Sequence, residues 1–247
     1  MENVGYLAYA RASQLERATD VAANNIANAN TAGFRASRTL FENYVAQSNA
    51  AGDLGAVSYA IDRGTVSDLS QGALTRTGNP LDIAITGDGW LGYLTTTGQT
   101  ALGREGSLVQ NAAGDLSTTA GDLLLDLGGA PINIPPGSGE ISIARDGTIS
   151  GGNGEVIAQV GVFDAPDIAF WERLSGTMMV PRDGVAPLNP TLEPALMQGH
   201  VEQSNVSPIA EMSRLIELQR AYEHSMSLAK TADDLRKEAL SRLRSNS

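Results

Sequence analysis

The sequence predicts an α+β protein, in which N- and C-terminal helices pair as a coiled-coil-like stem and a mainly antiparallel β domain lies between them. Near both ends of the chain, apolar residues recur at alternating spacings of four and three, and start or stop signals bound each run. The middle consists of short β-branched runs separated by turn residues, which is typical of antiparallel strands. The predicted boundaries are 1–33 and 204–247 for the helical stem, 34–75 for an extended connector, 76–194 for the β domain and 195–203 for a return junction.

The first helix is predicted from an apolar seam that is interrupted at Arg11 and Asn25. Gly33, just beyond it, is a typical helix stop because glycine tolerates the left-handed conformation. The seam consists of Val4, Ala8, Leu15, Ala18, Ala22 and Ala29. Asn is unfavourable inside a helix, since its amide competes for backbone hydrogen bonds, so the four Asn residues between 24 and 30 require another explanation.

The second helix is predicted to begin at Ser207-Pro208, where a capping serine precedes a first-turn proline. Its seam has breaks at Gln219, Asp233 and Arg236. The seam consists of Met212, Leu215, Tyr222, Met226, Ala229, Leu240 and Leu243. Both seams fill about two of every seven positions, fewer than a helix that covers a domain face needs, so each helix is expected to pack against another helix.

The middle of the chain contains three clear strand-like runs. They are "LDIAIT" (81–86), "ISIA" (141–144) and "EVIAQVGVF" (155–163), and turn signals lie at 87–89, 111–114 and 146–147. This pattern predicts the β domain. Residues 47–72 are rich in small and polar side chains and have no helical period, which predicts an extended connector.

Composition limits the classes of partner. The 247 residues, 42% of them hydrophobic, are enough to form a buried core. Acidic side chains outnumber basic ones by 28 to 17, which gives a formal net charge of −11 and a pI near 4.6. Such a surface repels phosphate backbones and anionic lipids, so neither nucleic acid nor a membrane surface is an expected partner.

The sequence contains no Cys, which excludes disulfides, zinc–thiolate sites and thiol nucleophiles. The N-terminal stretch lacks the basic region and the apolar run of a Sec signal peptide. No stretch is long enough to span a bilayer, so membrane insertion is not expected. If the protein works outside the cytoplasm, another export route must recognise it.

Two glycine-rich motifs have functional and structural interpretations. The "GDGWLG" stretch (87–92) fits a dinucleotide-binding pattern, but that site needs a helix to begin in the loop, and the following residues predict a strand and a turn. A β-hairpin turn is therefore favoured. The "GGNGEV" stretch (151–156) is a single copy without the oxygen ligands of a calcium-binding repeat, which favours a solvated loop.

The two histidines, His200 and His224, do not by themselves predict a site. Without a third His or a Cys, a closed metal site is not expected. Residue order alone neither excludes nor supports a Ser-His-Asp triad. Surface or packing roles are favoured for both side chains, and no cofactor is predicted.

Several stretches together resemble the flagellar basal-body rod and hook protein family. Residues 24–35, "NNIANANTAGFR", are similar to its N-terminal signature, whereas "SNV" (204–206) and "QRAYE" (219–223) are similar to its C-terminal one. "TGNPLDIAITGDGW" (77–90) resembles the start of its β domain, and "ISIARDGTIS" (141–150) a later strand pair. The match touches both ends and the middle of the chain, and the motifs are specific in combination.

Within that family, residues 134–150 and the charged tail beyond Asp233 resemble the proximal rod subunit. The intact 219–223 stretch instead resembles distal rod or hook subunits. Where the family usually has an aromatic residue, Thr, Arg and Gly before a turn, this chain has Leu102-Gly103-Arg104-Glu105-Gly106.

The resemblance implies a structural subunit rather than an enzyme, without a cofactor or a metal. It implies a tube whose inner layer is formed by terminal helices of many subunits, with β domains facing outward, and a shaft that transmits torque. The implied partners are copies of the chain, other rod subunits and the flagellar export apparatus. The implied location is the periplasm-spanning rod of the basal body, reached without a cleaved signal peptide. The expected assembly residues are Leu15, Ala18, Ala22, Asn24, Asn25, Ile26, Asn28, Gly33, Phe34, Ser204, Asn205, Val206, Met212, Leu215, Tyr222 and Met226.

The Asn residues acquire a role in such a layer. Asn25, on the seam itself, is expected to make amide contacts that fix the register of neighbouring helices, as a buried Asn does in coiled coils. Asn24, Asn28 and Asn30 can cap chain ends or bridge subunits. The alternative is that these residues only fray the last turn before Gly33.

Two functions of other classes remain open at this point. One is an enzyme that binds a small ligand or cofactor at the "GDGWLG" turn, which cofactor titration tests. The other is a secreted, adhesin-like β protein with helical ends, which a concentration-dependent gain of helix would distinguish from a self-assembling subunit.

Overall fold

The structure is a computed structural model that describes residues 2–46, 57–182 and 186–245. The chain forms two compact units, each assembled from separate stretches of sequence. The helical unit comprises residues 1–27, 37–66 and 207–247, and the β unit comprises residues 28–36 and 67–206. The two predicted terminal helices and the predicted antiparallel middle are confirmed.

The helical unit contains both long helices. Helix α1 spans Glu2–Ala27 and helix α2 spans Pro208–Ser245, so they are about 39 Å and 57 Å long at 1.5 Å per residue. Helix α2 begins with the predicted proline, and the Glu211 amide donates to the Ser207 carbonyl oxygen at 3.0 Å. Strands β1 (Ser37–Ala46) and β2 (Val57–Ser67) pair in a two-stranded sheet.

Small residues form the contact between α1 and α2. The buried residues of α1 are Ala8, Ala12, Ala18, Ala22 and Asn25, and those of α2 are Ser225 and Ala229, among the side chains described. The Ser225 hydroxyl donates to the Ala8 carbonyl oxygen at 2.8 Å, a distance that requires close approach of the backbones. Arg11, at which the seam was predicted to be interrupted, is exposed. The next residue, Ala12, is buried in its place.

The β unit contains fifteen short strands among its described residues, and every pairing between them is antiparallel. The largest sheet has the order β14-β15-β6-β5-β9-β8-β7, with β13 also paired to β5. Its strands are β5 (Trp90–Leu94), β6 (Thr100–Gly103), β7 (Leu108–Gln110), β8 (Leu116–Thr118), β9 (Leu123–Leu124), β13 (Val162–Phe163), β14 (Glu172–Ser175) and β15 (Met178–Val180).

The remaining strands form three smaller sheets. A three-stranded sheet has the order β10-β11-β12, and the pairs β16-β4 and β17-β3 form one sheet each. These strands are β3 (Leu74–Arg76), β4 (Ile83–Ile85), β10 (Ser142–Ile143), β11 (Thr148–Ser150), β12 (Val156–Gln159), β16 (Leu196–Gln198) and β17 (His200–Glu202). A short 3-10 helix spans Ile168–Phe170.

Two apolar clusters form the core of the β unit. The larger contains Ile83, Leu91, Tyr93, Leu116, Leu124, Ile149 and Val160 among others, and the second contains Trp90, Leu102, Phe163, Ile168 and Met179 among others. Adjacent residues of β5 belong to different clusters, because Trp90 lies in the second cluster whereas Leu91 lies in the first. Successive side chains of a strand point to opposite faces, so β5 separates the two clusters.

The structure places the boundaries of these units differently from the predicted ones. The predicted connector (34–75) contains the paired strands β1 and β2 and is divided between both units, although its residues 47–56 lie outside the described ones. The predicted return junction (195–203) contains β16 and β17, which belong to the β unit. Each has only three residues, and Gly199 (φ +71°) separates them, so neither is long enough to show an alternating pattern.

Candidate assembly surfaces

Helix α2 leaves large apolar side chains uncovered. Ile209 is 76% exposed, and the others are about half exposed. Among the described side chains of α2, this group comprises Ile209, Met212, Ile216, Leu228 and Leu235. Isolated exposed apolar residues are ordinary, but these five lie on one helix whose buried positions are a serine and an alanine.

The five residues form two separate stripes. At 100° per residue, Ile209, Met212 and Ile216 lie on one face of α2, whereas Leu228 and Leu235 lie on a face rotated by about 110°. The first stripe belongs to the N-terminal third of α2 and the second to its C-terminal half. We refer to them as the N-terminal stripe and the C-terminal stripe. One flat neighbour cannot cover both.

The predicted seam residues differ in how far one chain covers them. Ala18 and Ala22 are buried, whereas Leu15 and Ile26 are partly buried. On α2, Met212 is exposed, and the structure leaves Leu215, Tyr222 and Met226 partly buried. The helix pair of one subunit therefore buries the small members of the seams and leaves the large members of α2 incompletely covered.

Asn25 is fully buried, and its amide is used within the chain. Its Nδ2 donates to the Ser37 carbonyl oxygen and its Oδ1 accepts from the Ser37 amide, both at 2.9 Å. This pair of bonds ties the end of α1 to the start of β1 and closes the intervening loop, residues 26–36. The structure thus shows a different contact from the inter-helix register contact expected of Asn25.

The other predicted Asn positions lie around this loop. Asn24 is exposed on α1. Asn28 begins the turn after α1, where its carbonyl oxygen accepts from the Thr31 amide at 3.1 Å and its Oδ1 from the Thr31 hydroxyl at 3.2 Å. Asn28 therefore organises the turn that follows the helix, and Asn30 is exposed in the same turn.

The second feature is a buried charge cluster in the β unit. The Glu202 Oε1 accepts from Arg35 Nη2 at 2.6 Å and from the Gly72 amide at 3.0 Å, and its Oε2 accepts from Arg104 Nη1 at 3.0 Å. Both guanidinium groups also lie over the Trp90 ring, at 5.6 Å and 5.0 Å from its centroid. Arg35 and Glu202 are each 1% exposed.

Asn205 completes this arrangement by bonding three backbone groups in two other segments of the chain. Its Oδ1 accepts from the Ala36 amide at 2.7 Å, and its Nδ2 donates to the carbonyl oxygens of Asp68 at 3.0 Å and Ser70 at 2.9 Å. The Arg35 guanidinium also donates to the Ser70 carbonyl oxygen. We call the set of Arg35, Arg104, Glu202 and Asn205 the clasp. It joins residues 33–36, 68–72 and 202–206.

Backbone contacts around the clasp are close. Gly33 has φ +72° and donates its amide to the Glu202 carbonyl oxygen at 2.7 Å, and a Cβ at Gly33 would overlap the backbone of Arg104. Phe34 is fully buried with Ala36 and Val206, and Arg173 lies 4.4 Å from its ring centroid. The Ser204 hydroxyl accepts from the Val206 amide at 3.2 Å. Gly33, Phe34, Ser204, Asn205 and Val206 thus form contacts inside the β unit.

Burial lowers the pKa of the three arginines in and beside the clasp. Desolvation lowers the pKa of Arg35 and of Arg104, while the carboxylate of Glu202 acts in the opposite direction on both. The Arg104 charge lowers the pKa of Arg35 further, so the two guanidinium groups repel each other. Desolvation also lowers the pKa of Arg173, to about 10. Glu202 is therefore the carboxylate that compensates two like charges.

The motifs that the sequence analysis considered as possible chemical sites lie in turns and short strands. Gly87 (φ +94°) and Gly89 (φ +105°) form the turn between β4 and β5, and Trp90 begins a strand rather than a helix. In the "GGNGEV" stretch, the Gly154 amide donates to the Gly151 carbonyl oxygen at 2.9 Å in a turn. The His200 ring nitrogen Nδ1 lies 2.9 Å from the Gln198 carbonyl oxygen. Among the described residues, no group of three His, Cys, Asp or Glu side chains is arranged to hold a metal ion.

Neither helix, over the residues that the structure describes, has a segment long and apolar enough to cross a membrane.

The chain has a long helix near each end of the sequence and a β unit built from its middle, and motifs from both ends of that unit meet in the clasp. Three family models match the chain: a flagella basal body rod protein model over residues 6–35, a flagellar hook protein FlgE/F/G D1 domain model over 84–151, and a flagellar basal body rod FlgEFG protein C-terminal model over 197–242. The chain belongs to the flagellar basal-body rod and hook protein family.

Relatives match over most of their length. The flagellar basal-body rod protein FlgF of Mesorhizobium japonicum is 35% identical over 247 residues, which is all of both chains. That of Escherichia coli, also named FlgF, is 32% identical and covers 95% of each chain. The flagellar basal-body rod protein FlgG of Agrobacterium fabrum is 31% identical over 87% of this chain and 90% of its own. These comparisons confirm the resemblance and the structural, rod-protein character of the family.

Sequence reasoning missed Arg104, Glu202 and Trp90 as members of a common site. A signal was present, since Arg35 lies between Phe34 and Ala36, and Glu202 follows an apolar residue in a short strand. A single charge in an apolar context predicts burial with a partner. Which charge pairs with which was not accessible, because the partners are far apart in sequence.

Proposed function

We propose that this chain is a structural subunit of the proximal part of the flagellar basal-body rod, and that its helical unit makes the contacts between subunits. Family membership and full-length relatives named as rod proteins support the structural role. The relatives named FlgF and the resemblance of residues 134–150 support the proximal position. A distal rod or hook-type subunit is the alternative, favoured by the intact 219–223 stretch and the relative named FlgG.

The observation that carries the proposal is the incomplete burial of α2. Its stripes leave five large apolar side chains in water, at a cost that burial would recover at roughly 25 cal/mol per Å². Two stripes on different faces suit a subunit with at least two neighbours, as a closed tube requires. Copies of this chain and other rod subunits with similar helices are the proposed partners.

Charge distribution supports the same assignment. The β unit contains six arginines and sixteen carboxylates, and so holds a formal charge of −10 out of −11 for the chain, whereas the helical unit has eleven basic and twelve acidic residues. Three of the six arginines are buried or largely buried around the clasp. Helical units can approach one another with little repulsion, while β units repel one another.

The proposed mechanism is geometric. The two helices of each subunit pair as a coiled-coil-like stem through small residues, and neighbouring stems bury the stripes. Close packing resists sliding, so an assembly of such stems is stiff to twisting and transmits torque. Passage through the flagellar export apparatus, a periplasm-spanning position and the absence of enzymatic activity are parts of the same proposal, which rests on the family resemblance.

The test is a charge placed in each stripe of the full-length protein. Ile216→Glu and Leu235→Glu should each weaken concentration-dependent self-association at least about tenfold, since each would bury an unpaired carboxylate. Ser227→Glu, at an exposed polar position of the same helix that is rotated by about 80–100° from Leu228 and Leu235, is the matched control and should change little. Sedimentation velocity measures association, and swimming of a strain that carries only the variant measures rod function.

Normal association and swimming in both stripe variants would contradict the proposal. Loss in one variant only would restrict the contact to that stripe and remove the requirement for two neighbours.

A further inference from the structure

The clasp brings together charges that cannot be buried separately. Arg35 and Arg104 share the Trp90 ring and repel each other, and Glu202 alone bonds both of them. Without Glu202, both guanidinium groups would lose the carboxylate that bonds them, and only the weaker effects of Asp68 on Arg35 and of Asp88 on Arg104 would remain. Without either arginine, Glu202 would lose one of its two ionic partners. Breaking a buried ion pair by removing one member is strongly destabilising, because it leaves an uncompensated buried charge.

The members of the clasp are also distant in sequence. Arg35 and Glu202 are separated by 167 positions, and Arg104 and Glu202 by 98. Closing such long loops costs entropy before any contact compensates for it. The strand β17, which positions Glu202, pairs with β3, in which Leu74 is the register partner of Glu202 and lies 128 positions earlier in the chain, so this pairing also has to close a long loop.

The backbone segments around the clasp are in such close contact that side chains would overlap at two of its glycines. A Cβ at Gly72 would overlap the Gln203 carbonyl oxygen, and one at Gly106 would overlap the Ile83 carbonyl oxygen. The Nε atoms of Arg35 and Arg104 are buried without a hydrogen-bond partner. A half-closed arrangement would therefore desolvate polar groups without supplying the bonds that compensate them.

We propose that the clasp is a closure device of the β unit: its three charged side chains become buried together, after the apolar clusters have formed, and only when residues 33–36, 72, 104 and 202–206 meet. The β unit of a chain that lacks either of its end segments consequently stays open at this place. The clasp therefore forms only in a chain that contains residues 33 to 206. This inference concerns folding within one chain and does not depend on assembly through the helical unit.

The experiment uses dilute full-length protein in a Trp171→Phe background, in which Trp90, under both guanidinium groups, is the remaining tryptophan. Folding and unfolding rates are measured by stopped-flow fluorescence across a urea series. Glu202→Gln should lower the folding equilibrium constant by roughly 10²- to 10³-fold. We expect this loss in a faster unfolding rate, with less than about threefold change in the refolding rate.

A triple variant tests mutual dependence even if Glu202→Gln does not fold. Arg35→Met, Arg104→Met and Glu202→Met combined remove all three charges, and its folding constant should lie within about tenfold of the parent, because no unpaired charge remains. Glu172→Gln breaks the exposed pair with Arg182 (3.6 Å) and is the control for removing a carboxylate, with an effect below about threefold.

Two outcomes would overturn the inference. If the triple variant loses at least as much stability as the 10²- to 10³-fold expected for Glu202→Gln alone, the three charges do not depend on one another. If Glu202→Gln slows refolding in proportion to its loss of stability, the clasp forms early rather than last.

Discussion

The two units of this protein differ in which of their large side chains they bury. In the β unit, two apolar clusters and a charge cluster bury most large side chains within one chain, and the large apolar side chains that it leaves exposed, such as Phe170 (59%) and Leu192 (96%), lie on different elements rather than on one. In the helical unit, small residues are buried and the large apolar residues of α2 remain in water. The difference shows that a single subunit buries only those side chains for which it supplies the packing partners itself. The remaining apolar surface marks where other copies are expected.

The largest expected effect would separate the two units experimentally. Ala22→Pro places a proline inside α1 at a buried position, where it removes a backbone hydrogen bond and clashes, at a cost of about 3 kcal/mol or more. Both tryptophans belong to the β unit, so their fluorescence reports that unit while far-UV circular dichroism reports the helices. We expect lost helicity and lost swimming, with the tryptophan transition in urea retained. A tryptophan transition that moves with the helical signal would mean that the units fold as one.

A smaller effect would sharpen the role of the loop after α1. Asn25→Ala removes both bonds to the partly buried amide and carbonyl groups of Ser37, which should cost about 2–3 kcal/mol in the stability of the helical unit. Ser13→Ala, at an exposed position of the same helix, should change stability by less than about 0.5 kcal/mol. Circular dichroism during urea unfolding measures both. Equal effects would show that Asn25 acts only through helix propensity.

The smallest effect concerns two carboxylates of the β unit with opposite pKa shifts. Burial raises the pKa of Glu105, with Asp122 acting in the same direction and the Thr177 hydroxyl (2.6 Å) opposing it. A raised carboxyl pKa means that the folded state binds the proton more tightly, so the contribution of Glu105 is present in acid and is lost as pH rises through the raised value. Glu105→Gln should therefore stabilise the β unit slightly at neutral pH but not in acid.

Asp146 gives the contrasting case. The Thr148 amide, 3.0 Å from Oδ1, lowers the pKa of Asp146, so its contribution is present above the ordinary carboxyl range and is lost as pH falls. Asp146→Asn should be slightly destabilising at neutral pH and neutral in acid. Urea midpoints followed by tryptophan fluorescence over a pH series measure both variants. Differences of the same sign at neutral pH would contradict the assignment of these shifts.

Sequence patterns were sufficient where the determining contacts are local. The two terminal helices, the proline at the start of α2 and the turn at Gly87–Gly89 were predicted because each signal lies within a few residues. They were insufficient for β16 and β17, which contain three residues each and depend on partners more than 100 positions earlier. The clasp was not predicted for the same reason, because Arg35 and Glu202 come together only when the chain is folded.

The resemblance placed Gly33, Phe34, Asn205 and Val206 among the expected assembly residues as members of family motifs. Their described contacts lie within the β unit. A motif shows that residue types are required together, but not whether the requirement comes from a neighbouring subunit or from the fold itself.

The order of segments in the two units has a mechanical consequence. Because residues 28–36 belong to the β unit and residues 37–66 to the helical unit, the backbone passes from one unit to the other four times, after residues 27, 36, 66 and 206. Scission of any one of these passages leaves three intact. The two units would therefore stay covalently joined after cleavage of the peptide bond at any one of the four passages.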